Sequence, residues 1–164
     1  MSTGSDVRRS RVILVGLLML LIASAARSSS RAPALPADPA AAIDADAPVM
    51  SVLRRACFDC HSNETRWPWY SALQVASWLI EHDVSEGRAQ LNFSRWTHYN
   101  RFDRADLLDK TCEKATAREM PMWQYRVLHR ESRLTEVEVA ALCAWGRQEA
   151  ARLIGADHDV EGSK

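Results

Sequence analysis

Two thiols three positions apart, with an imidazole directly behind them, stand out in the run Cys57-Phe58-Asp59-Cys60-His61. Three chemistries use such a pair. Thioether bonds from both sulfurs can hold a haem by its edge and leave the next histidine under the iron. The same spacing also serves a redox dithiol or one half of a zinc site. A structural zinc site asks for a second close pair of ligands, and the remaining cysteines, Cys112 and Cys143, stand far apart. A thioredoxin-type dithiol follows a strand, whereas Val49, Val52, Leu53 and Ala56 recur at helical spacing before Cys57. One covalent haem c, held through Cys57 and Cys60 with His61 as proximal ligand, is the leading expectation.

The opposite face of the iron needs a ligand or must stay open. Candidates are Met120, Met122, His82, His98 and His129. Met120 precedes Pro121, which lacks an amide donor and stiffens the local backbone, a suitable way to present a thioether from a loop. It also comes 59 residues after His61, which leaves room for helices to wrap the cofactor. Met120 is therefore the expected second metal ligand, with His129 next in line. Met122 reads as a core filler. His82 and His98 have polar neighbours and read as surface residues.

Positioning these groups falls to helices, since no stretch alternates as a half-buried strand does. A first helix is expected over Val49 to Cys60, starting at Ala47-Pro48 and delivering the thiols at its end. Trp67-Pro68-Trp69-Tyr70 reads as a stiff aromatic corner, followed by a helix over Ser71 to His82 with Leu73, Ala76, Leu79 and Ile80 on one side. A third runs from Asp103 to Ala117, aligning Leu108, Cys112 and Ala115. The last starts at Thr135, where Thr135-Glu136-Val137-Glu138 has the capping-box pattern, and is expected to bury Val137, Ala141 and Trp145. The fold class is all-α, about four or five helices around one haem. Cys143 falls off the expected buried stripe, so the spacing leaves a Cys112–Cys143 bridge open beside buried or unpaired thiols.

Outside this region the chain changes character. Arg8, Arg9 and Arg11 precede an apolar run from Val12 to Ile22 and a small-residue stretch, Ala23-Ser24-Ala25, the pattern of an export signal over residues 1–25. Retention of that segment as an N-terminal anchor is the alternative, giving a membrane tether. Residues 26–48, rich in Ala, Pro and Ser, read as a disordered linker. All six Trp, three Tyr and three Phe lie between Phe58 and Trp145, so a single domain is expected over residues 49–154, followed by a polar tail over 155–164. The chain carries 21 basic and 21 acidic residues; without residues 1–25 it holds 18 and 20. No basic stripe points to nucleic acid. The expected location is the periplasm or the outer face of the bacterial inner membrane.

Beyond the five-residue motif, the stretch continuing Ser62-Asn63-Glu64-Thr65-Arg66-Trp67-Pro68-Trp69-Tyr70-Ser71 resembles the bacterial haem-binding domain family of small monohaem c-type cytochromes. So do Ser77-Trp78, Asp83 to Arg88, Leu91 to Ser94, Met120-Pro121, Tyr125, His129, Leu134 and Trp145. The resemblance spans roughly Val49 to Arg147. It implies a cytochrome c-like fold with His61 and Met120 on the two iron faces, and it names no partner. Cys112 and Cys143 are not part of the pattern.

A haem has two flat apolar faces and two carboxylates at one edge. Trp67, Trp69, Trp78 and Trp96 are candidate walls or indole donors, with core packing the competing role. Arg88 and Asn92 are candidate propionate contacts, Arg88 alternatively pairing with Glu81, Asp83 or Glu86. Gly87 is expected to end a helix at positive φ. Together these readings favour an exported one-electron carrier with His/Met-ligated iron over an enzyme. Its partners would be redox proteins and the cytochrome c maturation machinery. The competing class is a haem sensor or peroxidase-like enzyme with a displaceable sixth ligand, which needs a distal acid/base group.

Overall fold

The computed structural model describes residues 11–17 and 38–155. Regular structure among them is entirely helical: α1 (residues 11–17), α2 (Ala47–Ala56), α3 (Phe58–His61), α4 (Gln74–Gln90), α5 (Arg101–Thr116), α6 (Trp123–Leu128) and α7 (Glu136–Gly155). Short 3-10 turns lie at Trp69–Ala72, Phe93–His98 and Arg130–Ser132. The all-α expectation holds, and the helices beyond the expected four or five are short pieces, α1, α3 and α6. None of the described helices is long and apolar enough to cross a membrane. Most of the expected export signal, residues 26–37 of the expected linker, and the tail beyond residue 155 lie outside the described residues.

Two compact units divide the described chain. Residues 11–17 and 67–83 form the smaller, and residues 38–66 with 84–155 the larger. Within the smaller unit, α4 begins after the 3-10 turn and not at Ser71, because Leu73 is extended at the junction. The apolar side expected to be buried there is largely open. Leu73, Val75, Trp78 and Leu79 are all exposed, and Trp78 stacks on His82 with ring centroids 6.0 Å apart.

The larger unit is built on α2, α5 and α7. Asp46 caps α2, its Oδ1 accepting from the Val49 amide at 3.1 Å, and Pro48 sits in the first turn where a missing N–H costs nothing. Val49, Val52, Leu53 and Ala56 form its buried face, as their spacing predicts. The packed chain starts earlier than composition suggests. Ala41 and Ile43, within the expected linker, are buried, and the Ile43 amide donates to the Phe93 carbonyl at 2.8 Å. Two apolar side chains with backbone pairing are enough to dock that short stretch, which its Ala and Pro content conceals.

Helices α5 and α7 lie against each other through Ala105, Leu108 and Ala115 on one side and Leu142, Cys143, Gly146 and Ala150 on the other. A disulfide joins Cys112 to Cys143 with their Cα atoms 4.9 Å apart. The expected α7 stripe is thus rotated. Val137 and Ala141 face outward, because the side that packs on α5 runs through Leu142, Cys143, Gly146 and Ala150. At its start the capping box forms as its pattern predicts: Thr135 N–H donates to Glu138 Oε2 at 2.8 Å and Glu138 N–H to Thr135 Oγ1 at 3.2 Å.

Helix α5 ends in a Schellman turn. The Glu119 amide donates to the Lys114 carbonyl and the Arg118 amide to that of Ala115, with Arg118 at φ 60°. A side chain in this left-handed position costs about 1 kcal/mol or more relative to glycine. Its guanidinium offsets part of that cost by donating to the Leu134 carbonyl at 3.0 Å. The turn leads directly into Met120 and Pro121, joined by a cis peptide bond.

Candidate functional site

The thiol-bearing segment is not the end of one long helix. Helix α2 stops at Ala56, Cys57 leaves helical geometry at φ −123°, and α3 restarts as a four-residue turn. This break lets the Cys57 carbonyl accept from the amides of both Cys60 (3.2 Å) and His61 (2.9 Å). Both thiols and the imidazole are thereby held within one turn. Cys57 and Cys60 are not joined to each other.

The ring of His61 has a defined tautomer. Its Nδ1 lies 3.1 Å from the Leu91 carbonyl, which can only accept, so Nδ1 carries the proton and Nε2 keeps its lone pair. No hydrogen bond among the described residues engages Nε2. Burial holds the imidazole below the ordinary histidine range against the pull of the Leu91 and Gly87 carbonyls, which favours the neutral, ligating form. A carbonyl partner on the far nitrogen is the usual way a metal-binding histidine is oriented.

Gly87 serves this site in a way its sequence context does not suggest. It lies inside α4, not at its end, and no described glycine has positive φ. A Cβ at residue 87 would stand 2.7 Å from the Cys60 carbonyl oxygen. Glycine is required because α4 passes against the backbone of Cys60.

Behind α3 the chain is tied down residue by residue. Ser62, fully buried, donates to the Phe58 carbonyl at 2.8 Å and accepts from the Glu64 amide at 2.9 Å. Arg88 donates from Nε to the Ser62 carbonyl (2.8 Å) and from Nη2 to Thr65 Oγ1 (2.9 Å). None of the acidic residues expected as its alternative partners is paired with it; the guanidinium clamps the loop. Asn92, also buried, caps the Phe93–His98 turn through Oδ1 and donates from Nδ2 to Asn63 Oδ1 at 2.9 Å. Both side chains expected at a propionate thus brace the loop that follows His61.

The most connected side chain near the thiols was not singled out by its sequence position. Asp59, between the two cysteines, is buried and accepts from Tyr125 Oη at 2.6 Å, from Arg66 Nε and Nη2 at 3.1 and 3.2 Å, and from the Arg66 amide at 3.1 Å. Burial and the bond to Asp59 push the Tyr125 phenol well above its usual range. Tyr125 in turn stacks on His129, ring centroids 4.2 Å apart. The available signal was a carboxylate set between Phe58 and Cys60 inside the motif.

Other expected residues fall into two groups. Trp96 is a core residue, packed between Phe93 and Tyr99. Trp67, Trp69 and Trp78 belong to the smaller unit, where Trp69 and Trp78 are exposed. Met120 is 40 % exposed and leads, through Pro121 and Met122, into α6, a helix with no buried residue that leaves Trp123, Val127 and Leu128 open.

This donor set fits a haem better than its rivals. No cluster of three or more His, Cys, Asp or Glu suited to a metal ion occurs among the described residues. Burial and the neighbouring Cys60 push the Cys57 thiol up to about 12, opposite to the lowered value of a reactive dithiol. Two unjoined thiols beside a neutral imidazole with a bare Nε2 are what covalent haem attachment with histidine ligation asks for. Neither the curated proteins nor the solved structures contain a match to this chain. The model of one family, described as a haem-binding domain, matches residues 15–148, most of the chain and all the residues just described, and the chain therefore belongs to the haem-binding domain family.

Proposed function

We propose that the protein is an exported monohaem c-type cytochrome that carries single electrons. In this reading Cys57 and Cys60 hold haem c covalently, and His61 and Met120 ligate the iron from opposite faces. The observation that carries it is His61, whose protonated Nδ1 is held by Leu91 O so that Nε2 is the lone-pair nitrogen, one residue from Cys60. Bound haem supplies an iron that alternates between two oxidation states by one electron.

The polypeptide's part is to hold that centre still. Ser62, Arg88 and Asn92 fix the loop behind His61, so the imidazole keeps its orientation in both oxidation states. Thioether ligation by Met120 favours the reduced state and raises the potential. Cys57, Cys60 and His61 are half-buried, which limits water around the centre. The Cys112–Cys143 bridge supports a location in the periplasm or on the outer face of the inner membrane, since disulfides persist in oxidising compartments. The partners are then redox proteins and the machinery that attaches haem.

The test is spectroscopic. Purified from an exporting host, the protein is expected to keep its haem through acid-acetone extraction and to show the far-red absorption of methionine bound to ferric iron. Met120→Ala should abolish that absorption, and Met122→Ala should leave it. A wild-type ferric spectrum that is high-spin, with rapid cyanide binding, overturns the carrier reading in favour of a sensor or peroxidase-like protein.

A further inference from the structure

We propose that Asp59 and Tyr125 form a positioning pair that couples the two iron-facing segments, holding the Met120 thioether in place from the turn that carries His61. The proposal rests on the His61/Met120 reading above.

Apart from Tyr125, helix α6 is tied by Arg133 Nε donating to the Arg126 carbonyl at 3.1 Å. None of its residues is buried, and Trp123, Val127 and Leu128 are exposed. Tyr125 is the side chain of this helix with a short bond across 66 residues of sequence, 2.6 Å from its phenol to Asp59 Oδ2. The far end of that bond is anchored. Asp59 lies within α3, two residues before His61, and three donors of Arg66 hold its carboxylate. Stacking against His129 fixes the ring plane of Tyr125.

On the methionine side the path is equally short. Four residues separate Met120 from Tyr125, and Pro121, buried, removes freedom from the connection. The Met120 amide donates to the Lys114 carbonyl, so the upstream end is held by α5 and the downstream end by Tyr125. A hydrogen bond to a charged acceptor is stronger than one between neutral groups, and a buried one is hard to replace with water. Removing the phenol loosens the downstream end alone, leaving the Arg133–Arg126 bond in place. The thioether would then leave the iron more often while the thioether bonds and His61 stay as they are.

Tyr125→Phe in the haem-loaded, full-length protein is the test, with Thr135→Ala as a destabilised control that breaks only the α7 capping box. Expected in Tyr125→Phe are normal haem attachment, a weakened far-red methionine absorption and cyanide binding to ferric iron about tenfold faster. Thr135→Ala should alter neither. Amide hydrogen exchange over residues 120–128 should quicken in Tyr125→Phe alone, a second measurement that needs no spectrum. Wild-type absorption and cyanide kinetics in Tyr125→Phe, alongside loss of the absorption in Met120→Ala, overturn the pair and leave the ligand assignment standing. An absorption that survives Met120→Ala overturns both together.

Discussion

Single atoms decide much of this site. The 2.7 Å approach that a Cβ on residue 87 would make to the Cys60 carbonyl turns Gly87 into a fixed requirement. Alanine in a helix interior gains about 1 kcal/mol over glycine. Forcing a methyl group into packed backbone costs about 1 to 3 kcal/mol. The clash outweighs the gain because a carbonyl held by the motif turn cannot swing aside as a side chain does. Gly87→Ala is therefore expected to lower the denaturant midpoint of the protein, and a midpoint at or above wild type would show that Cys60 gives way. Much of the site at this scale was legible in the sequence, since Cys57, Cys60 and His61 sit on one turn as their spacing implies. Asp59 and the true purpose of Gly87 were not. Each depends on a residue far along the chain, Tyr125 in one case and the α4–Cys60 crossing in the other, and local patterns carry no such information.

Elements meet through a few charged contacts as well as through the core. Arg55, on α2, donates to Glu138 in the first turn of α7 and to the carbonyls of Glu131 and Arg133. Glu138 also accepts from the Thr135 amide and hydroxyl. The backbone bond to Thr135, then the Thr135 hydroxyl and Arg55, hold its carboxyl below the usual glutamate range. With the folded pKa depressed, the unfolded chain binds more protons in acid, so this contribution is present above the ordinary glutamate pKa and is lost as pH falls through the folded value. Glu138→Gln should thus be less stable than wild type near neutrality, and the gap should close as pH falls through and below the ordinary glutamate range. Urea titrations at several pH values check it; a gap that stays constant would assign the effect to the neutral bonds alone. Local signals at this scale were good guides to starts and stops. The Thr135 box and the α2 face could be read from residue types, whereas the α7 face was misplaced because three of its four buried residues, Cys143, Gly146 and Ala150, are small and carry little hydrophobic signal.

Across the whole molecule, the Cys112–Cys143 bridge spans a sequence separation of 31 and encloses Met120, α6 and His129. Closing a loop of that length stabilises a fold by roughly 3 to 4 kcal/mol in the chain-entropy model. Replacing both cysteines by serine is expected to lower unfolding free energy by an amount of that order, read from denaturant titration; the proposed haem attachment should survive, because Cys57 and Cys60 are outside the loop. A change near zero would mean that contacts between the α5 and α7 segments persist in the unfolded chain and already confine it. The overall class, all-helical, was plain from periodicity, and the position of the packed region nearly so; Ala41 and Ile43 escaped because two docked residues do not lift a stretch rich in Ala and Pro above its surroundings.

The same bridge makes the stretch from residue 113 to residue 142 a covalent ring. A protease that cut once within it, for instance beside the exposed Trp123 or Leu128, would leave a nicked protein of unchanged mass but for one added water. The two fragments would part only under reductant, and on the proposed attachment through Cys57 and Cys60 the red colour would travel with the amino-terminal one.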